Sequence, residues 1–559
     1  MQSMRSGCIH RWHWWGAAAM VVCAVGLAAP ALCDDFDVAR ANAKVAAEVL
    51  SRCNRFIHGW LQHADARTGL IPQNLRGQAT SPVWTAENSA ADLWPFMVLS
   101  AYYTDEALLE GKMRDILHAE IRRTTRVGHL PDAFDFGKQA FLRDEVNEGR
   151  LIFGASEYCK DGLLPIVELM GRGEWFARLR DIATDICEQA SVHTDFGPIP
   201  ATSAEVNGEM LQVLARLYPA TGDTRFLATA LRIADAYFLE MLPNSSWLPC
   251  HDWDFDKHSV KSDRLRLRDH GSEIVGGLSE AYALARRYAP ERADRYEPAF
   301  RSMLDTLLEK ARNEDGLWVD EITPSTLETP RRSVPDTWGY VFNAFYTAYL
   351  LTGEQRYRDA VVKGLESIHK YPDWGGADAF ADSIESGIVL LNREPVASAF
   401  KWVDEAIVAM SAKQQEDGII EGWHGDGNVA RTWLMYAMMK TGGLRAAPWR
   451  EDLAYGAERD GDDLRICLTA KEPWTGKLFF DYPRHREHFG VSPNYPRLNE
   501  YAEWFSVEDS VLYRISVPGA EPSDRLGAEL RRGLAISLQA GQEWTATVAK
   551  IGGPPYGGA

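Results

Sequence analysis

Several short stretches of this sequence crowd ionisable, amide and aromatic side chains into a single helical turn. Trp84 and Thr85 precede Glu87 and Asn88, with Asp92 a turn later. Ser203, Glu205, Asn207 and Glu209 form a second cluster, and Asp269-His270-Gly271-Ser272-Glu273 a third. Asp336-Thr337-Trp338-Gly339-Tyr340 follows, then Asp382, Ser383 and Glu385. The last runs from Glu421 through Trp423, His424, Asp426 and Asn428 to Arg431. Paired carboxyl groups suit general acid/base work, with one giving a proton and the other taking one. Aromatic rings beside acids suit a sugar, whose apolar face stacks on a ring while its hydroxyls bond to carboxylates.

Each cluster also has a plainer explanation. Asp, Ser, Thr and Asn cap helix starts, and Glu three residues on completes a capping box. Capping accounts for Ser383 and for Asp92. It does not ask for His, Trp and Tyr in the same turns, nor for two or three ionisable groups within four residues at several starts. Asp269 and Glu273 are four apart with His270 beside them, so one turn offers two acids and an imidazole. An ion pair with Arg266 or Arg268 is the alternative there. The glycines between Glu421 and Arg431 imply unusual backbone angles. Glu145, Glu148, Arg150, Glu157 and Tyr158 read as a solvated face. His251, His258, His270 and His424 include no pair at zinc-ligand spacing, so no metal is expected. There is no GxSxG, P-loop or dinucleotide fingerprint, and no cofactor is expected.

What must position these residues is a set of helices. From about Phe36 to Gly443 apolar residues recur at three- and four-residue spacing, broken at Gly and Pro. Twelve to fourteen helices fit that length. A hairpin phrase recurs: LYPATGDTRFLATALRIADAYF from Leu217, ARRYAPERADRYEPAFRSML from Ala285 and AYLLTGEQRYRDAVVKGLESI from Ala348. Each is a helix end, a turn and an amphipathic helix that cannot bury its apolar face alone. A closed ring of such hairpins gathers the inner helix starts on one face, where dipoles favour anionic groups. Two longer stretches, 243–268 with Trp247, His251, Trp253 and His258, and 312–335, read as lids or binding walls. After Pro448 the pattern changes to short alternating runs, DLRICLTA, GKLFFDYP, SVLYRISV, GLAISLQAG and EWTATVAKI, which predict a small antiparallel β-sandwich.

The chain has 559 residues, 46% of them hydrophobic, and a net charge of −19. That charge argues against nucleic acid as a partner. An uncharged run from Trp14 to Leu32 follows Arg5, His10 and Arg11 and ends at Ala31-Leu32-Cys33, which predicts a cleaved export signal and a periplasmic or extracellular location. No later stretch predicts a membrane span. Beyond it Cys53, Cys159, Cys187, Cys250 and Cys467 are scattered, as small buried residues are.

The phrases TGDTRF and TGEQRY, with the polar starts Asp269-His270-Gly271, Asp336-Thr337-Trp338-Gly339-Tyr340 and Trp423-His424-Gly425-Asp426-Gly427-Asn428, resemble the (α/α) toroid proteins of the six-hairpin glycosidase superfamily over residues 36–443. The resemblance implies a mainly α protein, an (α/α)6-type toroid followed by the β-sandwich. The expected division is 1–33 signal, 34–445 toroid, 446–551 β-domain and 552–559 tail. It also implies a carbohydrate substrate, and with the polar clusters above three readings stay open. The first is glycoside hydrolysis, with Asp336 and Asp269 as the acid pair, Glu273 and Glu421 as substitutes, and a substrate site of His270, Trp338, Tyr340, His424, Asp426, Asn428, Arg431, Glu205, Asn207, Glu209, Glu87, Asn88 and Trp253. The second is a polysaccharide lyase or uronate epimerase, with His270 or Tyr340 as base and Asn207 and Arg431 neutralising the uronate. The third is a glycan-binding envelope protein without turnover.

Overall fold

Two kinds of helix alternate along the chain, and their burial tells them apart. The computed structural model describes residues 35–76, 82–268 and 271–552. The export signal therefore lies outside the described residues, as do Asp269, His270 and most of the C-terminal tail. Amphipathic helices such as α1 (Asp37–Leu61) bury one stripe, here Ala39, Ala43, Ala46, Leu50, Cys53, Ile57 and Trp60, at the spacing of a single helix face. Helices of the other kind are buried nearly all round.

In chain order the outer α1 is followed by the inner α2 (Trp94–Thr104), the outer α3 (Arg114–Thr124), the inner α4 (Glu148–Glu157) and α5 (Leu164–Met170), and the outer α6 (Glu174–Glu188). Then come inner α7 (Ala204–Thr221), outer α8 (Thr224–Asp235), inner α9 (Glu273–Tyr288), outer α10 (Pro290–Lys310), inner α11 (Tyr340–Thr352), outer α12 (Gln355–Ser367), inner α13 (Ala377–Leu391), outer α14 (Ala397–Ser411) and inner α15 (Gly427–Thr441). A π-helical turn joins α4 to α5 into one inner element, and another, Ala86–Leu93, leads into α2. The ring closes where α15 packs on α1, α2 and α13. The toroid expected from the sequence is present. Among the described residues its inner wall consists of α2, α4–α5, α7, α9, α11, α13 and α15, one hairpin more than a ring of six.

The repeated phrase has a local cause. Gly222 and Gly353 end their helices at φ 72° and 74°, the left-handed stop that glycine adopts freely. Asp223 then accepts from the Arg225 N–H to start α8, as a helix-starting carboxylate does.

The two long insertions contain short strands. The first holds the hairpin β1 (Asp252–Asp254) and β2 (Ser259–Ser262). Its end, Leu265–Arg266, pairs with Glu321–Thr323 of the second insertion.

After the toroid come two antiparallel sheets. β3 (Arg445–Ala447), β6 (Trp474–Phe479) and β9 (Leu534–Leu538) form one, in the order β3-β6-β9. The other has β4 (Leu453–Asp460), β5 (Asp463–Ala470), β7 (Leu512–Ser516), β8 (Ser523–Leu526) and β10 (Glu543–Gly552) in the order β4-β5-β10-β7-β8. These strands cover the five runs read from the sequence and add β3, β4 and β8. α1 lies directly on β4. A Cβ on Gly456 would stand 2.2 Å from the Ala43 backbone nitrogen, so the approach requires glycine. Cys53, Cys159, Cys187, Cys250 and Cys467 are all buried. No helix among the described residues is long and apolar enough to cross a membrane.

Candidate active site

The inner helices start around a cavity of about 540 Å³, within the size range of small-ligand sites. Glu87, Asn88 and Asp92 reach it from the π turn before α2, Glu157 from the end of α4, and Lys160 and Asp161 from the π turn after it. Glu273 comes from α9, Tyr340 from α11, and Asp378 and Asp382 from α13. His424 precedes α15, which adds Asn428 and Arg431. Residues nearly 350 positions apart in the sequence thus share one hollow.

The π turns decide which side chains face it. Glu87 and Asp92 are five residues apart. An α-helix would turn them away from each other, whereas the i→i+5 repeat of a π turn sets them one above the other. Glu157 immediately precedes the second π turn, which contains Lys160 and Asp161.

Asp92 and Asp161 are pushed in opposite directions. Asp92 keeps 21% of its side chain open and lines the cavity. Burial, then the negative charges of Asp161, Glu157 and Asp378, raise its pKa well above the usual carboxylate range. Asp161 is buried too, but Lys160, 2.8 Å away, and further hydrogen bonds hold it below that range. Asn499 also donates its amide to Asp161. The Asp161, Glu273, Glu157 and Glu209 charges outweigh burial at Lys160 and keep it charged. Two carboxyl groups driven apart in this way can hold and lack a proton at the same pH.

The start of α15 touches an acid on each side. His424 Nε2 is 3.9 Å from Asp92 Oδ2, and Asn428 Nδ2 donates to Asp378 Oδ1 at 2.8 Å. Arg431 fixes this arrangement from beneath. It pairs with Asp382 at 2.6 Å and Glu385 at 2.7 Å, and donates to the Asn428 and Asn499 side-chain oxygens at 3.1 and 2.9 Å. Tyr340 donates its hydroxyl to Glu385 at 3.0 Å. Arg150 pairs with Glu87 at 2.9 Å.

Of the catalytic and substrate-binding residues expected from the sequence, Glu87, Asn88, Glu273, Tyr340, His424, Asn428 and Arg431 line the cavity. Asp269 and His270 lie outside the described residues. Asp336 stands beside the cavity and not in its lining, though near enough for its charge to act on Asp382. Glu421 is a loop latch: it accepts the backbone N–H groups of Leu75 and Arg76. Trp338 is a core residue, fully buried, with its indole donating to the Ser383 carbonyl at 3.1 Å. Trp253 is buried against Glu240 at 2.8 Å. Asn207 turns its amide to the Ala201 and Ser203 carbonyls and the Tyr237 hydroxyl. Asp426 is buried at the start of α15, and burial lifts its pKa to about 7. Glu205 and Glu209 lie behind the lining, with donor atoms within 4.8 Å of Glu157. Burial and the Glu157 and Glu205 charges raise Glu209 well above the usual range.

Asp92, Asp161 and Asp378 are acids of the lining that sequence reasoning passed over, the first as a helix cap. Arg150 and Glu157, read as a solvated face, line the cavity instead. The charge density of their segments was the available signal, and the π turns that aim them inward had none.

No family model matches the chain, and no curated protein matches it. Solved structures do. An inactive variant of the alpha-1,6-mannanase GH76A of Salegentibacter sp., in complex with an alpha-1,6-mannotetraose, is 10% identical, with a TM-score of 0.41, over 70% of this chain and 98% of that one. A glycoside hydrolase family 76 mannosidase from Bacteroides thetaiotaomicron is 12% identical, with a TM-score of 0.40, over 70% of this chain and 98% of that one. Cellobiose 2-epimerase from Bacillus thermoamylovorans is 13% identical, with a TM-score of 0.40, over 59% of this chain and 88% of that one. All three are toroid enzymes of the six-hairpin class.

Proposed function

We propose that this protein is an exported glycoside hydrolase acting on uncharged oligosaccharides, with Asp92 as the proton donor and Asp378 as the carboxylate that activates water. The observation that carries this reading is the state of Asp92: a carboxyl group open to the cavity, raised in pKa by burial and by neighbouring anions. A general acid for a leaving glycosidic oxygen has to hold its proton near neutral pH. Asp378 is an acid of the same cavity lining, oriented by Asn428. His424 and Asn428 stand between the two acids, where hydroxyl groups of a sugar would be bonded. Trp423 is 70% exposed at the rim and packs on His424, a suitable platform for a second sugar ring.

A lyase or uronate epimerase is less well supported. It needs a cation free to neutralise a uronate. Among the described residues of the cavity, Arg150, Lys160 and Arg431 are each paired with carboxylates, and the Tyr340 hydroxyl is committed to Glu385. Export rests on the N-terminal segment alone.

The test is release of reducing ends from a panel of neutral and uronate-containing oligosaccharides, read beside absorbance of an unsaturated product. Neutral glycans are expected to be cleaved without such absorbance. The Asp92→Asn variant is expected to lose roughly 10²–10⁴-fold in turnover with its fold intact. Cleavage restricted to uronates, with an unsaturated product, overturns the reading.

A further inference from the structure

The first long insertion carries a second cluster of ligand-type side chains, remote from the acids described above. Asp195 lies in the connection between α6 and α7, Glu240 in the π turn Ala236–Met241 that follows α8, and His258 in the turn of the β1–β2 hairpin. One donor atom from each lies within 4.8 Å of the others. His258 Nδ1 is 3.1 Å from Glu240 Oε1, about the separation of neighbouring ligands on an ion with bonds of roughly 2.0–2.2 Å.

An independent feature concerns Glu240 itself. Its side chain is 9% exposed. Oε1 accepts from the Trp253 indole at 2.8 Å, which fixes the plane of the carboxylate. Oε2 is buried and has no hydrogen-bond partner. A buried carboxylate oxygen without a donor is costly, and a cation supplies what it lacks. The indole then plays the orienting part that outer partners play around metal ligands. Asp195 and His258 are both exposed, so the cluster has a path from solvent.

We propose that Asp195, Glu240 and His258 bind a divalent transition-metal cation, with Zn²⁺ the best match to one imidazole and two carboxylates. The ion ties the hairpin and the α6–α7 connection to the outer ring. Its consequence reaches the cavity wall, because β1 is bridged to Ser203 and Asp252 accepts from the Thr202 hydroxyl, immediately before α7. The site is not visible as a sequence motif, since its ligands are 45 and 18 residues apart. It is independent of the reaction proposed above.

Calorimetric titration of the chelator-dialysed full chain with Zn²⁺ tests it, together with the thermal midpoint with and without the ion. One site and a raised midpoint are expected. Both are expected to weaken about tenfold or more in binding for His258→Ala and for Asp195→Asn. Asp195→Asn alters an exposed residue, so its metal-free midpoint should match that of the unaltered chain, whereas His258→Ala also removes the pair with Glu240 and is read by metal binding alone. No binding by the unaltered chain, or binding undiminished in both variants, overturns the proposal and leaves His258 and Glu240 as a simple ion pair.

Discussion

At the scale of single residues, the site is an argument about where protons sit. Asp426 shows the principle away from the proposed chemistry. Burial is the largest cause of its rise to about 7, followed by the charge of Asp378. The folded state therefore binds a proton that the unfolded chain gives up near 3.8. Its contribution is fully present below that value and is lost as pH rises towards about 7, with a slope of up to about 1.4 kcal/mol per pH unit. Asp426→Asn is expected to flatten denaturant-derived stability across that window and to gain relative to the unaltered chain at pH 8. An unchanged slope would show that Asp426 ionises normally. Asp92 is governed by the same physics but faces the cavity. Its type and position were legible in the sequence, and its role was not, because an α-helical period turns it away from Glu87. Local sequence gives little warning of a π turn, and in this protein two of them set the cavity wall.

At the scale of elements, helix starts were readable and their floor was not. Gly222, Asp223 and Gly353 marked the hairpins because capping chemistry is local. Asn499 could not be marked in this way. It lies in the irregular stretch between β6 and β7, at φ 57°, and it enters the ring from below. Its backbone N–H donates to Glu385 at 2.7 Å, its amide nitrogen to Asp161, and its side-chain oxygen accepts from Arg431. Through Arg431 and Asn428 it bears on Asp378. Asn499→Gly keeps the backbone angle and removes the amide, at a cost of about 1–3 kcal/mol for the partners left unpaired. Asn499→Ala adds strain at a left-handed position, so it is expected to be the less stable of the two. Both should lower kcat/KM and shift the pH profile; a profile identical to that of the unaltered chain would limit Asn499 to a packing role.

At the scale of the whole molecule, ring and sheets depend on each other. α1 is covered by β4 on one side and by α15 on another, and the 490–506 segment fills the ring from the C-terminal half. A chain ending at residue 444 would expose Ala39, Ala43 and Ala46 of α1, now almost fully buried, and lose the Arg431 partner. It is expected to aggregate, while the full chain unfolds in one cooperative transition. A soluble truncated ring with its own sharp transition would show that the halves are independent. The change of periodicity at Pro448 marked most of the strands, although β3 begins just before it at Arg445. It held no sign of their attachment to the ring, because such contacts join residues hundreds of positions apart.

The proton on Asp92 is tested most directly by changing what the leaving group needs. An alkyl glycoside of the cleaved sugar departs only with a proton, whereas a nitrophenyl glycoside leaves without one. Asp92→Asn is expected to lose roughly 10²–10⁴-fold on the first and to keep most of its rate on the second. Equal losses on both substrates, or full activity on both, would contradict the assignment of Asp92 as the acid.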